Sequence, residues 1–132
     1  MDNNHETLIQ NFIKYYYENI SLQNITALSQ LFREHSKYNI EGNIIYGDEN
    51  IILKLSEIAQ SNIKYYISTV DYVSSGDRRL NILVNGTITT NTFNTLYQSQ
   101  HFTITKNFTE YIHLGMGNDK NYWIPSIILR TF

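Results

Sequence analysis

The chain has 132 residues, a formal net charge of −2 at pH 7 and no cysteine, so disulfides, thiol catalysis and thiolate metal sites are excluded. Its length is typical of one domain, and its 42% hydrophobic content is typical of a globular chain. The slight negative charge argues against direct nucleic-acid binding, because phosphates require a clustered basic surface.

The front third of the chain carries helical periodicity. Apolar residues recur at helical spacing in two segments, at about 6–19 and 24–33, and each segment predicts an amphipathic helix. Short extended segments are predicted at about 36–41 and 43–46. A third helix is predicted from Asp48, because acidic residues in a first turn suit the helix dipole and apolar residues then recur at helical spacing.

From about residue 62 onward the periodicity changes to two, which predicts β-strands. Strict alternation in the first of these strands puts Asp71 on the same face as Tyr65 and Ile67. The later strands are predicted at about 80–89, 96–105, 108–114 and 121–129. Short connections predict antiparallel pairing of consecutive strands, and Gly86 inside a strand predicts a bulge or a sharp bend.

This order of elements predicts an α+β fold that occupies residues 1–132 as a single domain. We expect three helices packed on one face of a strongly curved antiparallel sheet. A bent sheet over three helices forms a cone with an open mouth, and such a mouth is a natural cavity.

The sequence carries no signal for a membrane segment or a metal site. No run of about 18 apolar residues occurs, and the polar N-terminus resembles neither a secretory signal nor a transit peptide. The four histidines stand apart with no paired motif, so no metal and no other cofactor is expected.

Four phrases, taken in order, resemble those of the nuclear transport factor 2 family and together span nearly the whole chain. They are FIKYYYENI (12–20), IEGNIIYGDENIILKLSEI (40–58), STVDYVSSGDRRLNILVNGTI (68–88) and YWIPSIILRTF (122–132). The resemblance implies the cone-like fold of that family and a non-enzymatic role in nucleocytoplasmic transport. It also implies a location in the cytoplasm, the nucleus and the nuclear pore.

The resemblance further implies protein partners, namely GDP-bound Ran and Phe-Gly nucleoporins, recognised through the cone mouth or the dimer groove. In transport factors of this family, a Glu that follows an aromatic residue at the rim meets a basic residue of Ran, and Glu41 matches it. Ile40 stands in the place of the aromatic residue. The predicted partner-binding mouth comprises these two residues with Gly42, Asn91 and Phe93.

The loop that is acidic in the Ran carriers contains no acid here, since residues 89–94 are threonine, asparagine and phenylalanine. A second branch of the family does not need the acidic rim. Its members are small subunits that pair with an mRNA-export receptor. The resemblance therefore leaves open an alternative role in an mRNA-export heterodimer.

The outer face of the sheet packs against a second subunit in this family. By that resemblance, the predicted dimer interface contains Tyr97, His101, Trp123 and Pro125. The resemblance implies either a homodimer or a heterodimer.

A third alternative is a small-molecule binder or an enzyme of the isomerase or dehydratase type. Such an enzyme needs a carboxylate or a His–Asp pair inside the cone, and Asp71 and His101 are the candidates, with Tyr15, Tyr65 or Tyr97 as donors. The opposing interpretation is that Asp71 satisfies backbone or tyrosine groups and that His101 is a surface residue.

Overall fold

The structure, a computed structural model, describes the backbone of residues 3–76, 78–94 and 100–132 and the side chains of residues 5–76, 78–91 and 103–132. The helices within these ranges are α1 (Asn3–Ser21), a 3-10 helix (Ile25–Leu31) and α2 (Asp48–Ala59). The strands are β1 (Lys37–Ile40), β2 (Asn43–Tyr46), β3 (Lys64–Ser74), β4 (Arg79–Asn94), β5 (Gln100–Met116) and β6 (Tyr122–Thr131).

The strands form one curled sheet in the order β2-β1-β6-β5-β4-β3. The pairs β1–β2, β3–β4, β4–β5 and β5–β6 are antiparallel, as their short connections predict, whereas β1 joins β6 in parallel. The consecutive strands β2 and β3, which α2 separates in the chain, do not pair and form the two edges of the sheet. The predicted α+β architecture of helices on a curved sheet is confirmed, and the sheet is mixed because β1 enters it from the helical third of the chain.

The β5 strand is one continuous element, and the prediction of separate strands at about 96–105 and 108–114 is wrong. The β4–β5 ladder runs without a break from Arg79 paired with Gly115 to Asn94 paired with Gln100. The polar residues between the two predicted strands do not form a turn. They project from opposite faces of a single strand.

The core lies between the helices and the inner face of the sheet, which we define as the face toward the helices. It is built mainly from isoleucine, leucine and aromatic side chains. Its fully buried apolar members include Tyr16, Ile20, Leu28, Ile51, Leu55, Ile82, Phe108, Ile112 and Ile127. No helix in the described part of the chain has the length and apolarity needed to cross a membrane.

The β3–β4 ladder is irregular beside Gly86, which agrees with the predicted bulge or bend. The pairing of β3 with β4 shifts register between Ile67 and Thr69, next to the pair formed by Ile67 and Gly86. A Cβ atom on Gly86 would collide with the Tyr66 carbonyl oxygen and lie 3.0 Å from the Phe108 ring. The two strands can therefore approach this closely only because residue 86 has no side chain.

The register shift reverses the faces of the second half of β3. Beyond it, Val70 lies opposite buried Val84, and Asp71 lies opposite Leu83 on the other side of the sheet. Directly paired residues project to the same side of an antiparallel ladder. Asp71 is therefore exposed on the outer face, and the prediction that it shares the face of Tyr65 is wrong.

Candidate functional site

A cavity of about 390 Å³ opens where the inner face of the sheet runs beyond the helices. Most of its wall is apolar and comes from β1, α2, β4, β5 and β6. The aliphatic members are Ile40, Ile58, Ile63, Ile88, Ile104 and Leu129. This cavity occupies the predicted mouth of the cone.

The cavity arises because the inner face of β5 is covered by the helices along one part of the strand and uncovered along the rest. Phe108 is buried, whereas the next inner positions toward the mouth, Lys106 and Ile104, are exposed. Their partners on β4 are Ile88 and Thr90, so all these side chains share the inner face. The sheet thus extends past its helical cover and leaves a lined space.

Glu41 stands at the rim in a tight turn between β1 and β2. The φ angles of Glu41 and Gly42 are 53° and 93°, and a two-residue hairpin with positive φ at both central positions is of the type I′ class. The Glu41 amide donates to the Leu129 carbonyl at 3.0 Å. Its carboxylate accepts hydrogen bonds from the Thr131 amide at 2.5 Å and the Thr131 hydroxyl at 3.2 Å. The hairpin is thus fastened to the end of β6, which fixes the carboxylate at the rim.

The charged side chains that line the cavity differ in whether they have a hydrogen-bond or ion-pair partner. Lys54 and Glu57 form a salt bridge at 3.5 Å. Each Glu41 carboxylate oxygen already accepts one hydrogen bond from Thr131. Lys106 also lines the cavity, and its ammonium group has no ion-pair or hydrogen-bond partner among the described residues.

The residues predicted to form the mouth are only partly assembled there. Ile40 and Glu41 line the cavity, whereas Gly42 lies in the turn beside it. The Asn91 side chain accepts a hydrogen bond from Thr103 at 2.8 Å, away from the cavity lining, where its neighbour Thr90 lies instead. The side chain of Phe93 lies outside the described residues.

A buried carboxyl group, which the sequence analysis missed, lies deeper inside the cone. Glu110 is 2% exposed and accepts hydrogen bonds from the Tyr17 hydroxyl at 2.7 Å and the Tyr38 hydroxyl at 2.6 Å. Burial raises the pKa of this carboxyl to about 7, although the hydrogen bonds from Tyr38 and Tyr17 act in the opposite direction. A glutamate at an inner position between Phe108 and Ile112 was the sequence signal that could have revealed it.

Glu110 does not line the cavity. Tyr65 lies on the cavity wall, and its ring centroid is 4.5 Å from that of Tyr17, which holds Glu110. Burial also raises the pKa values of the Tyr17, Tyr38 and Tyr65 hydroxyls well above their ordinary value, so all three stay protonated at neutral pH. The acid therefore sits in a closed, tyrosine-lined compartment without direct access to the cavity.

The proposed catalytic pair is not assembled in the described part of the chain. Asp71 is exposed on the outer face, opposite the side of the sheet that lines the cavity. The Tyr15 hydroxyl donates to the Ala27 carbonyl at 2.6 Å, also outside the cavity. Of the predicted donors, Tyr65 reaches the cavity wall, whereas Tyr97 and the side chain of His101 lie outside the described residues.

The predicted dimer residues Trp123 and Pro125 are half-buried near one end of the sheet. Both approach Gly115, and the Arg33 guanidinium carbon lies 4.7 Å from the centroid of the Trp123 ring. Arg33 in turn forms a salt bridge with Asp119 at 3.2 Å. Trp123 is thus partly covered by its own chain. The other two predicted interface residues, Tyr97 and His101, have no described side chain.

A row of exposed apolar side chains crosses the outer face of the sheet. Leu83 on β4 pairs with Tyr111 on β5, and Tyr111 pairs with Ile128 on β6. Their exposed fractions are 36%, 38% and 41%. We call these three residues the outer row. Polar rows flank it on both sides, so the apolar surface is a confined stripe.

The fold and the cavity define a class of proteins in which helices pack on one face of a curled, open sheet and leave a pocket beyond the helical cover. The chain belongs to the nuclear transport factor 2 (NTF2) domain family, whose family model matches residues 8–130. A curated relative, nuclear transport factor 2B of Arabidopsis thaliana, is 34% identical over 65 residues. That match covers 49% of this chain and spans about half, 51%, of the relative.

Solved structures confirm the fold at low sequence identity. Nuclear transport factor 2 from Cryptosporidium parvum superposes with a TM-score of 0.75 at 19% identity, covering 93% of this chain and 90% of that one. A candidate dehydratase of the NTF2-like family from Streptomyces avermitilis superposes with a TM-score of 0.82 at 10% identity, covering 100% and 99%. The same fold therefore occurs in a transport factor and in a candidate enzyme, so function has to be argued from the site.

Proposed function

We propose that this protein is a non-enzymatic nucleocytoplasmic transport factor that binds protein partners at the cone mouth. Its proposed partners are GDP-bound Ran and Phe-Gly nucleoporins, its role is to support nuclear import of Ran, and it acts in the cytoplasm, the nucleus and at the nuclear pore. Family membership and the curated transport-factor relative support this role.

The observation that carries the proposal is the position of Glu41. Its carboxylate is held by Thr131 at the rim of an apolar cavity. A carboxylate oxygen accepts more than one hydrogen bond, so each oxygen retains capacity for a cationic group of a partner. An apolar side chain of the partner would enter the cavity while its basic neighbour meets Glu41.

The exposed position of Asp71 and the closed compartment of Glu110 favour binding over catalysis. A general base must come within hydrogen-bond reach of the proton that it abstracts. Asp71 lies on the outer face, and Glu110 does not line the cavity. Neither carboxyl group is therefore positioned to act on a molecule held in the mouth.

The small subunit of an mRNA-export heterodimer is the second candidate function. The observation that favours it is the composition of the rim, where Lys54, Lys106 and Thr90 accompany Glu41 and Glu57. A rim with balanced charge offers a basic partner fewer charge-assisted contacts than an acidic rim. Each such contact contributes about 1.5–3 kcal/mol when it is well formed.

Calorimetric titration of the protein with GDP-loaded Ran tests the import role. We expect saturable binding at concentrations of tens of micromolar or below, with GTP-loaded Ran as the control for nucleotide state. Absence of binding in this range would rule out Ran import. Affinity capture of an mRNA-export receptor from the source cell would then favour the second candidate.

We further propose that the protein dimerises through the outer face of its sheet and that the outer row belongs to this interface. Substitution of Tyr111 by lysine is then expected to abolish dimerisation. A lysine would place an unpaired charge at the centre of an apolar contact, whereas the isolated subunit would tolerate it because Tyr111 is 38% exposed. Light scattering after size-exclusion chromatography reports the mass. Leu53→Lys, at a 65% exposed position on α2, is the matched control and should leave the mass unchanged. A Tyr111→Lys protein with the mass of the wild-type dimer would contradict the proposed interface.

A further inference from the structure

We propose that the cavity at the cone mouth binds a small amphipathic carboxylate, with an aliphatic chain in the cavity and its head group paired with Lys106. This inference adds a small-molecule ligand to the proposed partner-binding role and does not depend on that role.

The shape and lining of the cavity suit the apolar part of such a ligand. A volume of about 390 Å³ falls at the small end of the range for sites that hold small organic molecules, about 300–1,000 Å³. Five isoleucines and Leu129 supply most of the wall, together with the ring of Tyr65. Aliphatic chains gain free energy of binding in such a site, because burying their apolar surface is favourable and requires no hydrogen-bond partner.

The charged residues at the rim favour a ligand with a negatively charged head group. Lys54 forms a salt bridge with Glu57, and Thr131 holds the Glu41 carboxylate at the hairpin between β1 and β2. Lys106 is the lining cation that has no partner among the described residues. An anionic head group therefore finds an available partner in Lys106.

The position of Lys106 fits this arrangement. It lies on the inner face of β5, paired with Ile88 of the cavity wall, and two residues from buried Phe108. A molecule whose chain rests on Ile88 and Ile104 would bring its head group to the level of the Lys106 ammonium group. The Tyr65 hydroxyl, which has no hydrogen-bond partner within the described ranges, adds a donor at the wall.

Titration with octanoate, followed by NMR of isoleucine δ1-methyl groups, tests the proposal on the protein alone. We expect saturable shifts at Ile58, Ile63 and Ile88, with half-saturation below about 1 mM. Ile20 in the core and Ile128 on the outer face should not shift, which makes them internal controls. Octanol, which has the same chain and no charge, should bind more weakly.

Lys106→Glu is expected to weaken octanoate binding at least about fivefold and to remove the preference over octanol. Lys14→Glu makes the same charge change at an exposed position of α1 that does not line the cavity, and it should leave binding unchanged. The proposal is overturned if no saturable methyl shift occurs, if Ile128 shifts in place of the cavity residues, or if Lys106→Glu binds octanoate as tightly as the wild type. Because no protein partner is present, any of these outcomes leaves the transport proposal to its own test.

Discussion

Replacing Gly86 by alanine is expected to lower the free energy of unfolding by about 3 kcal/mol or more and the Tm by about 10 °C. A Cβ atom would collide with the Tyr66 carbonyl oxygen and press on Phe108 and Ile67, 3.0 and 3.1 Å away. The Tyr66 carbonyl belongs to the backbone of the neighbouring strand, so it cannot swing aside as a flexible side chain would. The bend that shapes the cone is therefore expected to weaken. Thermal and urea unfolding followed by circular dichroism measure the effect.

The sign of the change in stability shows whether the steric clash at residue 86 outweighs the intrinsic preference of a strand for alanine over glycine. Alanine in a regular strand is favoured over glycine by about 0.5–1 kcal/mol, so propensity alone predicts a small gain for Gly86→Ala. Gly115 on β5 provides the matched control, because the nearest atoms to its added Cβ would lie at 3.8 Å, which is ordinary contact. Gly115→Ala should match or slightly exceed the wild type in stability. Equal stability of both variants would contradict the account of the bend.

Glu110→Gln is expected to remove a decline in stability that the wild type shows between about pH 4.5 and pH 7. The pKa of Glu110 is about 7 in the folded protein and 4.5 for an ordinary glutamate. The folded state therefore binds more protons than the unfolded state in this window, so the free energy of unfolding falls as the pH rises. One pKa unit corresponds to about 1.4 kcal/mol, so the decline approaches about 3 kcal/mol above pH 7.

Glutamine reproduces the neutral form of the buried acid. Its amide oxygen can accept from one of the Tyr17 and Tyr38 hydroxyls while its NH₂ group donates to the other. The variant should thus equal the wild type near pH 4.5 and exceed it in stability at pH 8. Urea denaturation across pH 4–9 measures the difference, and Glu6→Gln, at an exposed position of α1, controls for the change in net charge. Parallel profiles for Glu110→Gln and the wild type would show that Glu110 titrates as an exposed group.

The sequence predicted the helices and most strands because their apolar residues recur with a clear period. A glycine inside a strand also predicted the irregularity beside Gly86, and the family resemblance indicated the segment of Ile40 and Glu41, which lines the cavity. These features depend on local conformation or on a motif of contiguous residues. The hairpin at Glu41–Gly42, with a glycine at its second central position, is one example.

The features that the sequence did not predict depend on pairing between distant strands. The register shift after Ile67 turns Asp71 to the outer face, and nothing in the alternation of β3 indicates where an extra residue is accommodated. The break predicted between the strands at about 96–105 and 108–114 falls inside the continuous strand β5, whose length is set by its ladder with β4. Glu110 was overlooked because its two hydrogen-bond donors come from α1 and β1, 93 and 72 residues away in the chain.

The most direct test of partner binding at the cone mouth compares Glu41→Lys and Glu41→Gln in the titration with GDP-loaded Ran. Glutamine keeps an acceptor for Thr131 and removes the charge, whereas lysine reverses the charge and loses the acceptor. We predict that the wild type binds, that Glu41→Gln binds about tenfold more weakly, and that Glu41→Lys does not bind while its circular dichroism spectrum and its mass by light scattering stay those of the wild type. Binding of Ran by Glu41→Lys with wild-type affinity would contradict the account.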